Sequence, residues 1–227
     1  MGAMNIKYWR YLFFADLLTQ LTAIALHNID VQRITKPLLM CFLFLWFMAS
    51  SAKFSPLRYG IAAALFFSCL GDIFLLMESP TWFMAGLGSF LLAHVLYILF
   101  FMQVRSREIT KKLNFLILIS AEGYAASLFV FLYPHIGSLK IPVAVYAVTI
   151  ATMLVTAAHA FGKNRQQAAR YCVTGAALFV ASDSLLAVNK FYHPFTAAGI
   201  SVMLTYGLAQ FAITKGSLLY LAAENKD

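Results

Sequence analysis

Long apolar stretches separated by short polar segments dominate the pattern of this chain. Each stretch holds about 20 largely apolar residues, the length that an α-helix needs to cross a bilayer. The prolines all lie at predicted helix starts or in gaps, where a missing N–H costs least: Pro37, Pro56, Pro80, Pro134, Pro142 and Pro194. The pattern predicts an all-α polytopic membrane protein, with residues 1–227 forming one domain, a bundle of eight transmembrane helices. The approximate spans are 8–27, 37–52, 58–77, 81–103, 113–133, 141–161, 168–189 and 195–215.

Composition excludes a water-soluble domain. Hydrophobic residues make up 62% of the chain and charged residues only 11%, which is more apolar side chain than one soluble core can bury. The net charge of +8 would suggest a nucleic-acid partner in a soluble protein. Here the Lys and Arg side chains lie mainly in the gaps between apolar stretches, so no nucleic-acid partner is expected and the charge reports orientation instead.

The gaps on one side of the membrane carry most of the positive charge. Four cations lie on the other side: Arg33, Lys36, Lys140 and Lys190. The remaining thirteen share the side of the termini: Lys7, Arg10, Lys53, Arg58, Arg105, Arg107, Lys111, Lys112, Lys163, Arg165, Arg170, Lys215 and Lys226. By the positive-inside rule, both termini are predicted to be cytoplasmic.

Ionisable side chains inside a span need a reason, because each costs about 2.5 to 3.5 kcal/mol on insertion scales. Counting the helix rise from Arg58 and Arg170, Asp72 and Asp183 lie about 20 Å from the inner edge. They therefore share a depth in the outer third of the membrane. The other ionisable groups lie nearer the midplane or the inner leaflet: Asp16, His94 and Glu122.

Asp72 and Asp183 are the strongest candidates for chemistry. Each follows a small residue, so a ligand or backbone can approach closely. Two equally deep carboxylates repel each other when both are ionised, so one is expected to hold a proton near neutral pH and to serve as a general acid. Tyr146 falls in the same layer, and Lys36, at the outer start of the second span, reaches toward it. The alternative is that each carboxylate is tied to a separate basic or hydroxyl partner.

The remaining polar groups have ordinary structural interpretations as well. Asp16 heads a polar stripe, which favours hydrogen bonds between helices; the stripe continues through Thr19, Gln20 and His27. Glu122 lies among small residues, so helix pairing and function both stay open. His94 shares a helix face with Tyr97, and a lone buried His is typically a hydrogen-bonded core residue.

Six short segments together suggest a family. They are 35–39 (TKPLL), 68–72 (SCLGD), 86–97 (GLGSFLLAHVLY), 142–146 (PVAVY), 175–187 (GAALFVASDSLLA) and 205–210 (TYGLAQ). In order and spacing they resemble the YhhN-like lysoplasmalogenase family. The likeness extends from about residue 35 to 215.

The resemblance implies an eight-helix membrane hydrolase that cleaves the vinyl ether bond of lysoplasmalogens, releasing a fatty aldehyde and a glycerophospho head group. It implies no metal or organic cofactor, and the two essential acids of the family match Asp72 and Asp183. Lys36 is expected to bind the phosphate, and His94 and Tyr146 to position the water or the ether oxygen. Further candidates for substrate binding are Glu122, Ser182, Tyr206 and Gln210.

The expected partners are the bilayer and an alkenyl lysophospholipid with a phosphoethanolamine or phosphocholine head group. The expected location is the inner membrane of a bacterium.

Three other classes are weighed against this one. An intramembrane aspartyl protease also pairs two Asp, but Cys69 replaces the first Gly of its Gly-x-Gly-Asp motif and no Pro-Ala-Leu follows. A proton-coupled transporter uses midplane carboxylates and broken helices, and no predicted span has a central proline. A zinc hydrolase needs clustered histidines, whereas these scatter along the chain: His27, His94, His135, His159 and His193.

Overall fold

A computed structural model describes residues 7–51, 56–77, 79–107 and 114–224. Within them the chain forms eight α-helices: α1 Lys7–Ala25, α2 Ile29–Ser50, α3 Pro56–Leu75, α4 Pro80–Arg107, α5 Phe115–Leu132, α6 Lys140–His159, α7 Gln166–Ala187 and α8 Ala198–Glu224. A π-helical turn, Val188–Tyr192, extends α7. By length and composition, six of the helices, α2 to α7, can cross a membrane. The all-helical prediction is therefore confirmed, and the chain is a multi-pass membrane protein.

The second helix begins earlier than predicted. The sequence places its start at residue 37, but α2 starts at Ile29 because the side chain of Asn28 caps it, accepting a hydrogen bond from the backbone N–H of Val31 at 3.1 Å. Pro37 therefore lies inside the helix and not at its start. The helix continues through the proline, although the carbonyl of Arg33 loses its usual N–H donor there. Lys36 consequently lies two turns into α2.

The last helix also differs from the prediction, because it continues to Glu224 and not to residue 215. Its extra length packs against α7, and the two helices form the closest pair in the bundle. At Gly175 of α7, an added Cβ would lie 2.8 Å from the carbonyl oxygen of Ala209 on α8. Such small residues let membrane helices approach closely.

Helix packing places α8 at the centre of the bundle. It contacts α7 and also α1, α2 and α3, while α4 packs against α3 and α6. α5 packs against α6 and against the π-helical turn. Four of the cations used to predict orientation lie outside the described residues: Lys53, Lys111, Lys112 and Lys226.

Candidate active site

The candidate residues gather at one end of the bundle. Asp72 is in the last turn of α3 and Asp183 is near the end of α7, while Lys36, Tyr146 and Tyr206 lie within the first three turns of α2, α6 and α8. Antiparallel neighbours place the end of one helix beside the start of the next. This layer corresponds to the common depth that the helix rise predicts for the two carboxylates.

Asp72 is almost completely buried, with 1% of its side chain exposed, and has two polar partners. The ammonium nitrogen of Lys36 lies 3.7 Å from its Oδ1. The hydroxyl of Tyr206 donates a 2.6 Å hydrogen bond to its Oδ2. A cation and a strong donor both stabilise the charged form of a carboxyl group.

The backbone beside Asp72 is fixed by close packing. A Cβ added at Gly71 would lie 2.6 Å from Cε2 of Phe90, so the aromatic ring occupies the space that any larger residue would need. Glycine at this position therefore lets the Phe90 ring of α4 pack closely against α3. The ring then forms part of the wall beside the carboxylate.

Asp183 has a different environment. The hydroxyl of Tyr146 donates a 2.7 Å hydrogen bond to its Oδ2. Among the described residues, no Lys or Arg lies within ion-pair distance of it. Its neighbour Ser182 faces α8 and donates a 3.0 Å hydrogen bond to the carbonyl of Val202. Each carboxylate thus has its own partners, which is the alternative arrangement that the sequence left open.

Both carboxylates nevertheless line one cavity of about 270 Å³, termed here the central cavity. Three predicted residues line it with them: Lys36, Ser182 and Tyr206. Carboxylates, an ammonium group and a phenol therefore share a membrane-embedded space with room for a small polar group.

An apolar cleft of about 660 Å³ lies on the other side of Asp183, between α5, α6 and α7. Asp183 and Tyr146 are among the few polar side chains that line this α5–α7 cleft. A third cavity, of about 50 Å³, also includes Asp183 and Tyr146 in its wall, together with Lys190. Asp183 therefore lines all three spaces.

His94 lies behind the site and does not line the central cavity. It is fully buried, with ring centroids 4.9 Å from Phe179 and 5.4 Å from Tyr146. Neither ring nitrogen has a hydrogen-bond partner among the described residues. His94 therefore packs against the phenol that donates a hydrogen bond to Asp183.

Gln210 and Glu122 are separate from the cavity. Gln210 is buried one turn further along α8 than Tyr206, and its Oε1 accepts a 2.7 Å hydrogen bond from the hydroxyl of Tyr97. Glu122 accepts a 3.2 Å hydrogen bond from Thr152 of α6. Both contacts are of the kind that joins membrane helices.

Sequence reasoning missed three amide side chains in the central cavity, Gln20, Gln32 and Asn189. Gln20 belongs to the polar stripe of α1, and Thr35 of α2 donates a hydrogen bond to its Oε1. The predicted hydrogen bond between helices is therefore confirmed at this position. The position of Thr35 directly before Lys36 was the signal that could have linked this stripe to the site.

Comparison with known proteins gives the chain a family. The family model of YhhN matches residues 31–217. The chain belongs to the YhhN family. A lysoplasmalogenase of Mycobacterium bovis is 30% identical over 175 residues, which make up 74% of this chain and 65% of the relative. The human lysoplasmalogenase TMEM86B is 31% identical over 175 residues, 77% of this chain and 69% of the relative. No solved structure matches the chain.

The chain thus spans about two thirds of the length of these curated relatives. Asp72, Asp183, Lys36, Tyr146 and Tyr206 all fall inside the region that the YhhN family model covers. The family model therefore covers most of the residues that line the central cavity.

Proposed function

We propose that this chain is a membrane-embedded hydrolase that cleaves the vinyl ether bond of lysoplasmalogens to a fatty aldehyde and a glycerophospho head group. The observation that supports this most directly is that Asp72 and Asp183 line one cavity with contrasting partners. The names of the YhhN relatives support the same activity. The enzyme spans the membrane eight times, with both termini in the cytoplasm of a bacterium and the bundle in its inner membrane.

The chemistry needs one acid and one anion. A vinyl ether resists base but reacts when a proton reaches the outer alkene carbon, which gives an oxocarbenium ion. Water then adds to the carbon that bears the ether oxygen and gives up a proton. The resulting hemiacetal breaks its bond to the glycerol oxygen, with a proton moving from the hemiacetal hydroxyl to that oxygen, and aldehyde and alcohol leave.

The contacts favour Asp183 as the acid. Its polar partner is the neutral phenol of Tyr146, so it is the carboxyl that keeps a proton most readily at this depth. The proton it gives to the alkene carbon is replaced by the proton lost from the attacking water. General acid catalysis of this kind contributes about 100- to 10,000-fold to a rate.

Asp72 is then the anion. Lys36 and Tyr206 stabilise its charge before substrate arrives, and the carboxylate stabilises the oxocarbenium ion as it forms. The Lys36 ammonium has three donors, so it can contact both Asp72 and a phosphate in the central cavity. Ser182 and Tyr206 bind the head-group side of the substrate from the wall of the same cavity.

The test uses purified protein in detergent with an alkenyl lysophosphoethanolamine, and it measures the aldehyde released. Lysolipids with an ester or an alkyl ether at the same position serve as controls, because neither forms the oxocarbenium ion on protonation of an alkene. Aldehyde from the alkenyl substrate alone supports the proposal. Binding or transport of the lysolipid with no aldehyde released would contradict it.

Orientation is tested separately with reporters fused to the C-terminus. A reporter active only in the cytoplasm is expected to work, and one active only in the periplasm is expected to fail. The reverse result would overturn the predicted topology.

A further inference from the structure

The α5–α7 cleft has the size and lining of a ligand site. Its volume of about 660 Å³ lies within the usual range for pockets that hold small molecules. Nearly all of its lining is aliphatic or aromatic, from residues of α5, α6 and α7. Apolar surface alone does not identify an occupant in a membrane protein, whereas the position of Asp183 in the wall of this cleft points to one.

The cleft is as long as one lipid chain. On α7 its lining extends from Ala187 to Val173, and the part between Asp183 and Val173 corresponds to about 15 Å of helix. On α6 it extends from Val143 to Ala158, and the part between Tyr146 and Ala158 corresponds to about 18 Å. One leaflet of the hydrocarbon core is about 15 Å thick, so a single chain of a membrane lipid fits along the cleft.

Asp183 lines both this cleft and the central cavity. In an alkenyl lysolipid, the vinyl ether lies between the polar head group and the hydrocarbon chain. A substrate with its chain in the cleft and its phosphate near Lys36 would present that bond at Asp183. We propose that the α5–α7 cleft is the binding site for the alkenyl chain, an inference that rests on the proposed function.

The substrate enters the cleft sideways from the bilayer. α5 and α7 both pack against α6, and a hydrogen bond from the Tyr124 hydroxyl to Ser184 Oγ, 3.0 Å long, joins them across the cleft. Tyr124 is 47% exposed, so this bridge lies at the edge of the cleft and not in the core. A lipid tail that passes between α5 and α7 at this point would break this hydrogen bond.

Two alanines allow the depth of the cleft to be changed. Ala177 lines it about 9 Å from Asp183, and Ala158 lines its far end. Ala177→Phe is expected to exclude the end of a long chain and leave room for a short one, whereas Ala158→Phe excludes the longest chains only. Ala126 of α5 is exposed and does not line the cleft, so Ala126→Phe is the matched control.

The experiment measures kcat/KM over a chain-length series of alkenyl lysophosphoethanolamines. Each pair of methylenes excluded by Ala177→Phe should lower kcat/KM about tenfold, with short-chain substrates and the control unaffected. Ala158→Phe should shift the same cutoff toward longer chains. Equal losses at every chain length, or no loss at any, would overturn the chain site.

A second measurement does not depend on turnover. A lysolipid with a photoreactive group at the end of its chain is cross-linked to wild-type protein, and the labelled residues are located by mass spectrometry. Labels on α5, α6 and α7 inside the cleft, displaced by unlabelled alkenyl lysolipid, support the site. Labels elsewhere, or equal displacement by any bilayer phospholipid, would contradict it. If no substrate releases aldehyde but the cleft is labelled, the proposed reaction fails and the chain site stands.

Discussion

The hydroxyl of Tyr146 donates a 2.7 Å hydrogen bond to Asp183, and no described cation lies within ion-pair distance of that carboxylate. Asp72, in contrast, contacts both Lys36 and Tyr206. Two carboxyl groups in one cavity therefore have unequal partners, and the difference between them gives each a separate role.

Replacing either carboxylate should stop the reaction without unfolding the protein. Asp72→Asn and Asp183→Asn keep the shape of the side chain but can neither donate an acidic proton nor carry charge, so kcat should fall by about 100- to 10,000-fold. The double variant should be little worse than either single one, because the two groups act as a unit. Turnover is measured per folded molecule, with thermal stability in detergent as the control. Near wild-type turnover in either variant would remove that Asp from the mechanism.

Lys36→Met should harm both stability and activity. It leaves the charge of Asp72 buried without its cation, which costs a few kcal/mol. Adding Asp72→Asn to Lys36→Met should restore the melting temperature but not the turnover, because the buried charge is gone and so is the anion. Lys36→Arg is the conservative control. A melting temperature that is unchanged in Lys36→Met would show that the pair at 3.7 Å contributes little.

Gln210 is expected to act on stability alone. Gln210→Leu leaves the Tyr97 hydroxyl buried without an acceptor, at a cost of about 1 to 3 kcal/mol. The double variant Gln210→Leu with Tyr97→Phe should recover part of that loss, since both polar groups are then removed. KM should stay unchanged, because Gln210 does not line the central cavity. A raised KM with normal stability would indicate that Gln210 contributes to substrate binding.

Strong chelators should leave activity intact. Within the part of the chain that the structure describes, no three His, Cys, Asp or Glu side chains come together as a metal site would require. The assay compares aldehyde release before and after dialysis against the chelator. Activity that is lost on dialysis and returns only with zinc would contradict the two-aspartate mechanism.

The sequence predicts the two aspartates because an ionisable group in the membrane is costly and therefore conspicuous. It misplaces Lys36 because Pro37 looks like a helix start, whereas the Asn28 cap outweighs that signal. Gln20 and Gln32 carry no charge, so placing them inside the bundle costs less free energy than placing a carboxylate there. They are therefore less conspicuous in the sequence as candidates for a site. The α5–α7 cleft cannot be seen in the sequence, because residues that line an apolar cleft and residues that face lipid have the same composition.

The central position of α8 has a consequence for biosynthesis. Tyr206 lies 134 positions after Asp72, so the carboxylate enters the membrane long before its donor has been synthesised. Before α8 inserts, Asp72 has the ion pair with Lys36 but not the hydrogen bond from Tyr206. Ser182 likewise lacks its acceptor, the carbonyl of Val202. A nascent chain that stalls before α8 would expose poorly satisfied polar groups to lipid. Asp72 and Ser182 therefore gain their partners on α8 only when the last helix has been synthesised and inserted.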